Sequence, residues 1–118
     1  MPLKCYKNYV DGGYISNSSG ETFDVINPAT GKVIYQVEVA DEHIKQKTIK
    51  RAKNGFALWS AMSPTERSRI LNKAVTLLRE RNDELAKIEV LDTGKPIQEA
   101  AVVDVHSGAD SIEFFAGL

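Results

Sequence analysis

The chain has 118 residues, which is the usual length of one small domain. Its 15 Lys and Arg residues nearly balance 16 Asp and Glu residues, and the resulting net charge of -1 gives no electrostatic basis for binding nucleic acid or an anionic membrane. No apolar run is long enough to cross a bilayer, no signal core begins the sequence, and the single cysteine, Cys5, excludes an internal disulfide and is consistent with a cytoplasmic protein.

The first forty residues have the pattern of short extended segments in two pairs. Turn residues separate the members of each pair, "DGG" in the first and "NPATG" in the second, because glycine, asparagine and proline favour turns. The sequence therefore predicts β-strands and hairpins between about residues 6 and 40. The extended segments are "YKNYV" (6–10), "YIS" (14–16), "TFDVI" (22–26) and "KVIYQVEVA" (32–40), the last with alternating Val33, Tyr35, Val37 and Val39.

From Asp41 onward, apolar residues recur at helical spacing and predict three helices. Asp41 is the expected N-cap of the first helix, and Ser63 to Glu66 have the pattern of a capping box for the second, which Gly94 and Pro96 end. The helices are expected at about 41–60, 64–91 and 100–116. Their apolar faces contain Ile49, Ala52, Phe56 and Trp59 in the first, Leu71, Val75, Leu78 and Leu85 flanked by Ile70, Ala74, Leu77 and Ile88 in the second, and Val102, Val105, Ala109, Ile112 and Ala116 in the third.

These apolar faces are too broad for the rest of the chain to cover. Four short extended segments make a small sheet, whereas the third helix is apolar on nearly all sides, which is typical of a helix buried in a larger body. We therefore expect residues 1–118 to be a fragment of a larger α/β fold.

Two short motifs have better-known functions that the sequence context excludes, and a third motif is absent. "DTG" (92–94) occurs in aspartic proteases after an extended segment, but here a strongly capped helix precedes it. "TGKP" (93–96) lacks both the upstream glycine and the Ser or Thr of a phosphate-binding loop, and no G-x-G-x-x-G fingerprint is present.

The reactive and metal-binding residue types give no catalytic or zinc site. Cys5 has no activating base near it in the sequence, so a structural thiol is favoured over a nucleophile. His43 and His106 form no ligand pair at zinc-binding spacing.

Asp92 lies where a helix exposes its negative end, which is mildly unfavourable for a carboxylate. Either its side chain points into water, as most aspartates do, or a cation is held by the carboxylate and nearby backbone oxygens. The residues alone leave both interpretations open.

Four segments together resemble the N-terminal part of the aldehyde dehydrogenase superfamily. They are "INPATGKVI" (26–34), "MSPTERSRIL" (62–71), "RNDELAKIEVLDTGKP" (81–96) and "GADSIEFFAGL" (108–118). Within the superfamily, the chain looks most like the bacterial betaine aldehyde dehydrogenases.

The resemblance implies an oxidoreductase several times longer than this chain. Such an enzyme oxidises betaine aldehyde to glycine betaine with NAD or NADP, and a homo-oligomer, dimer or tetramer, is expected. Residues 1–118 would form the N-terminal part of its dinucleotide-binding domain. The family's catalytic cysteine and glutamate lie downstream, so no catalytic or cofactor-binding residue is expected here, and Cys5 does not match the nucleophile.

The resemblance also implies potassium bound within the subunit. Matched position by position, the ligands in this chain would be main-chain oxygens of Val25 and Ile26 and the carboxylate of Asp92. Two alternatives stay open: a fragment of an aminoaldehyde or other aldehyde dehydrogenase, and a stand-alone interaction module without catalysis.

Overall fold

A computed structural model describes residues 2–118, which form short strands followed by helices. The mixed α/β fold class predicted from the sequence is confirmed. The chain divides into two compact units, one running to Ala61 and the other spanning Met62–Leu118. The elements are β1 (Cys5–Tyr6), β2 (Asn8–Val10), β3 (Gly13–Ile15), β4 (Thr22–Asn27), β5 (Lys32–Glu38), α1 (Glu42–Ala61), α2 (Pro64–Glu80), α3 (Asn82–Thr93), α4 (Ile97–Glu99), a π-helical segment called here the π-turn (Ala100–Asp104), and α5 (Val105–Ala116).

The first unit contains a three-stranded sheet in the order β1-β5-β4 and a separate β2–β3 hairpin. β4 and β5 are antiparallel neighbours, as expected from the turn between them. The parallel pairing of β1 with β5, which places Cys5 opposite Gln36, was not predicted, because it joins segments about thirty residues apart without a local signal.

The two turns have the backbone that their residues favour. In the β2–β3 hairpin, Asp11 and Gly12 both have positive φ, 57° and 79°, which is the requirement of a two-residue type I′ turn. In the β4–β5 turn, the carbonyl of Asn27 accepts hydrogen bonds from the backbone N–H groups of Thr30 and Gly31, at 3.2 and 2.8 Å. Both predicted hairpins are therefore confirmed.

α1 begins where the sequence predicted, at a cap formed by Asp41. One oxygen of its carboxylate accepts the backbone N–H of Ile44 at 2.9 Å, which satisfies a free donor of the first turn. Ile44 is buried, but the expected apolar face is largely exposed among the described residues, with Phe56 at 70% of its full accessibility.

α2 begins at the predicted capping box. The Ser63 hydroxyl accepts the Glu66 backbone N–H, and the Glu66 carboxylate accepts the Ser63 backbone N–H at 2.8 Å. The same carboxylate accepts the Ser63 hydroxyl, and these bonds from Ser63 lower the pKa of Glu66. The predicted apolar stripe faces inward at Val75, which is 2% exposed.

The single helix expected at 64–91 is two helices in the structure. Arg81, with φ -99° and ψ 16°, leaves the α-helical region and separates α2 from α3. α3 then ends at Thr93, and Gly94 adopts the left-handed conformation (φ 74°) that the sequence predicted for this terminator.

The third predicted helix differs in both its start and its register. Helical structure begins at Ile97 and widens into the π-turn before continuing as α5. The predicted inward position of Val102 is wrong, since this side chain is 70% exposed. The π-turn explains the error, because it inserts an extra residue and rotates the residues before Val105 away from their α-helical positions.

The core of the second unit lies where α2, α3 and α5 meet. Its fully buried side chains are small, Ala86, Ala100 and Ala109, around Val75. On the surface of the unit, Arg79 of α2 binds Asp110 at 2.8 Å and Glu113 at 2.7 Å, both on α5. Small residues let the helices approach closely, and the ion pairs connect their exposed edges.

Candidate functional site

The strand ligands of the predicted potassium site, Val25 and Ile26, lie at an irregularity of the sheet. Val25 faces Tyr35, whereas Ile26 faces Val33, so β5 carries one extra residue, Ile34, at a β-bulge. β4 is an edge strand. Because backbone groups alternate along an antiparallel strand, the Val25 carbonyl points toward β5 and the Ile26 carbonyl toward the open edge. By this alternation the Ile26 oxygen is directed away from β5.

The third predicted ligand, Asp92, lies exposed in the last turn of α3. In this turn the Thr93 hydroxyl donates to the Glu89 carbonyl at 2.7 Å, and Gly94 donates its backbone N–H to the Val90 carbonyl at 2.9 Å. The bond from Gly94 satisfies one of the four carbonyls that a helix end otherwise leaves free. The carboxylate therefore stands beside the negative end of a well-ordered helix, as the sequence indicated.

Lys95 is a positive partner at this helix end that sequence reasoning missed. Its ammonium lies 2.7 Å from the Asp104 carboxylate and 3.2 Å from that of Glu89. The hydrogen bonds to Asp104 and Glu89 raise the pKa of Lys95, and the bond to Asp104 has the larger effect. The sequence "TGKP" places a lysine just past a helix C-terminus, where its positive charge interacts favourably with the helix dipole. Its acceptor Asp104 lies nine residues further on, and no sequence motif indicates that the two side chains meet.

The predicted ligands are divided between the two compact units. Val25 and Ile26 belong to the unit that runs to Ala61, and Asp92 belongs to the unit of residues 62–118. Each unit provides oxygen of the kind that potassium prefers, but the neighbouring carbonyls of Val25 and Ile26 are directed to opposite sides of β4. The joint site of Val25, Ile26 and Asp92 stays a prediction.

Other metal-binding and reactive groups are sparse in the described part of the chain. Between residues 2 and 118, no three His, Cys, Asp or Glu side chains are grouped so that they could hold a metal ion. Cys5 is exposed on β1 as a free thiol. None of the helices formed by residues 2–118 combines the length and the apolar character that crossing a membrane requires.

A sequence model described as the aldehyde dehydrogenase family matches residues 14–118. The chain belongs to this family. Betaine aldehyde dehydrogenases from Vibrio vulnificus strains YJ016 and CMCP6 are each 55% identical to it over 111 residues. This similarity covers 94% of the chain but 23% of each relative, so the chain spans about a quarter of their length.

Solved aldehyde dehydrogenases share the fold of this family member. A Bacillus cereus aldehyde dehydrogenase in complex with NAD+ has a TM-score of 0.90 and 33% identity, with 97% of this chain and 24% of that chain covered. PnpE in complex with nicotinamide adenine dinucleotide has the same TM-score and identity, with 95% and 23% covered. The resemblance inferred from the sequence segments is therefore confirmed.

The second unit of this aldehyde dehydrogenase chain has two open concavities on its surface. One, of about 450 Å³, lies between α2, α3 and α5, with Lys95 and Asp104 beside apolar side chains. The other, of about 510 Å³, follows the exposed side of the π-turn and α5. Its lining residues are Val102, Val103, His106, Ser107, Asp110, Ser111, Phe114 and Phe115.

Proposed function

We propose that this chain is part of an NAD(P)-dependent betaine aldehyde dehydrogenase, which oxidises betaine aldehyde to glycine betaine for osmoprotection. The observation that carries the proposal is the 55% identity over 94% of the chain to enzymes of that name. The enzyme would work in the cytoplasm as a dimer or tetramer. Residues 1–118 would belong to its dinucleotide-binding domain.

The chain's own contribution is structural. NAD or NADP would accept the hydride when bound to the complete enzyme, but we assign no residue of this chain to hold it, since the sequence has no G-x-G-x-x-G loop. Exposed apolar residues on α1 and α5 would pack against the remainder of the longer enzyme. The greater length of the relatives supports this role, because the chain covers 23% of each. Catalysis is assigned to residues outside 1–118.

The substrate assignment is tested with the complete enzyme and two aldehydes. We expect kcat/KM for betaine aldehyde to exceed that for 4-aminobutyraldehyde at least tenfold, on the order of the discrimination that one well-placed recognition contact gives. NADH formation at 340 nm measures both rates. A preference for the aminoaldehyde would instead identify an aminoaldehyde dehydrogenase, and turnover by residues 1–118 alone would contradict the structural role.

Potassium binding is the second part of the proposal. The open-edge carbonyl of Ile26, the carbonyl of Val25 and the carboxylate of Asp92 are hard oxygen donors, which suit this ion. A bound cation would offset both the Asp92 charge and the negative end of α3.

Replacing Asp92 with alanine should weaken the stabilisation that potassium gives. We expect the complete enzyme to gain several degrees in Tm between 0 and 100 mM KCl at constant ionic strength, roughly as mass action predicts for binding to the native state. Asp92→Ala should lose most of this gain, whereas Asp83→Ala, at the other end of α3, should keep it. An equal gain in all three proteins would refute the role of Asp92.

A further inference from the structure

The π-turn lies within a run of helix from Ile97 to Ala116 in which two side chains are fully buried, Ala100 and Ala109, nine positions apart. At the π-turn the covered positions come as adjacent pairs, Ala100 with Ala101 and Asp104 with Val105. From Val105 onward the covered residues are separated by four, three and four positions, as in an α-helix. They are Val105, Ala109, Ile112 and Ala116.

The extra residue lets the two ends of this run face the same core. Ala100 and Ala109 are both fully buried. In an uninterrupted α-helix, nine residues at about 100° each would place them about 180° apart, on opposite sides. The π-turn removes roughly one residue's rotation between them, so both can face α2 and α3.

Asn82 of α3 contacts the π-turn directly. Its side-chain Nδ2 donates to the Ala101 carbonyl at 3.0 Å, across nineteen positions of sequence. Its Oδ1 is buried and accepts no hydrogen bond from residues 2–118, so the donating side of the amide makes the contact with the turn. Insertion of a side chain into the hydrogen-bond ladder is one of the identified causes of an irregular helix.

We propose that Asn82 is a positioning residue that holds the extra residue of the π-turn and thereby sets which side of α5 faces outward. The bond from Lys95 to Asp104, at 2.7 Å, fixes the other end of the turn. The outward side includes Val102, Phe114 and Phe115 along the 510 Å³ concavity. This role goes beyond the proposed function, because it holds whichever aldehyde the enzyme uses.

Hydrogen exchange in the complete enzyme tests the contact. Asn82→Ala should speed amide exchange of residues 100–106 about tenfold, as loss of one partly buried hydrogen bond allows, and leave α2 unchanged. Asn72→Ala is the control, because among residues 2–118 its side chain bonds only to Ser68, within the same helix. Unchanged exchange in 100–106, or equal acceleration throughout residues 62–118, would overturn the proposal.

Deleting Val102 tests the register without depending on the stability of the Asn82 variant. Removal of one residue from the π-turn leaves an ordinary α-helix with the same inward side chains, so Tm should fall by about 3 °C or less. Deletion of exposed Ser111 should lower Tm at least twice as much, because Ile112 and Ala116 would rotate outward. Equal losses would contradict the proposal.

The two changes should also be coupled. In the enzyme lacking Val102, Asn82→Ala should alter exchange of the former π-turn by less than about twofold, since no extra residue remains to be held. The full tenfold effect in this background would show that Asn82 acts independently of the turn and would overturn the proposal.

Discussion

At the scale of single residues, Asp41 connects the start of α1 to the loop before β4. One carboxylate oxygen caps the helix through Ile44, and the other accepts both the backbone N–H and the hydroxyl of Ser18 at 2.8 Å. These bonds, the backbone bond from Ser18 above all, lower the pKa of Asp41 from 3.8 to about 2. The charged form is therefore favoured in the folded state.

The Asp41 carboxylate should make stability depend on pH in acid. Because its pKa is lower in the folded state, its contribution is complete above about pH 4 and is lost as pH falls toward about 2. Asp41→Asn keeps an oxygen that can cap α1 but removes the acceptor for Ser18, so this variant should lose less Tm over that interval. Circular dichroism melts from pH 2 to 6 would measure both slopes, and parallel slopes would contradict the assignment.

At the scale of secondary-structure elements, the packing of α2 against α5, and of α3 against the π-turn, depends on which side each element turns inward. Val75 is 2% exposed, whereas Val102 is 70% exposed. Both are valines in helical segments of the same unit, and helical spacing predicts an inward position for both. Because the residue type is the same, a difference in stability between variants at the two positions reports the effect of burial.

Alanine substitution should distinguish the two valines. Val75→Ala should cost about 2 kcal/mol of unfolding free energy, since it removes buried methyl groups and leaves a small cavity. Val102→Ala should change it by less than about 0.5 kcal/mol, as is usual at exposed positions. Urea unfolding measures the unfolding free energy of both variants. A loss above about 0.5 kcal/mol for Val102→Ala would show that the Val102 side chain is buried and not exposed.

The sequence predicted those parts of the structure that depend on neighbouring residues. The Asp41 cap, the Ser63–Glu66 box and the Gly94 terminator each satisfy backbone groups within a few positions, and all three are present. The break at Arg81 and the π-turn depend on contacts between distant positions, such as Asn82 with Ala101. Since residues 100–103 are all apolar, several helical registers looked equally suitable.

The candidate site was predictable only through family resemblance. Residue chemistry singled out Asp92, but nothing local connects it with Val25 or Ile26, more than sixty positions earlier. The structure adds two features that the sequence did not indicate, the bulge beside Ile26 and the ion pairs of Lys95. Neither has a sequence signal of its own: the bulge arises from how β4 pairs with β5, and Lys95 meets Asp104 nine residues on.

At the scale of the whole molecule, the described chain exposes many large apolar side chains. Phe114 and Phe115 are 65% and 69% exposed on α5, and apolar residues are exposed on α1 as well. With a net charge of only -1, electrostatic repulsion between copies is weak. Exposed apolar surface of this kind marks positions where another protein segment packs.

The 118-residue chain on its own should therefore self-associate. Sedimentation velocity from about 5 to 200 μM should show a rising mean mass, together with binding of the dye ANS. A double variant, Phe114→Ser with Phe115→Ser, should associate less, whereas Tyr9→Ser, outside α5, should behave like the parent. A single monomeric species for the parent across this range would contradict the prediction.

The short sequence separations within residues 62–118 have a consequence for synthesis on the ribosome. Arg79 meets its acceptors Asp110 and Glu113 only 31 and 34 positions later. Helical proteins with contacts at such separations fold within milliseconds, whereas translation adds about 5–20 residues per second. The helices from Pro64 to Ala116 should thus have assembled soon after Glu113 leaves the exit tunnel, and would offer a finished surface to whatever polypeptide is translated after them.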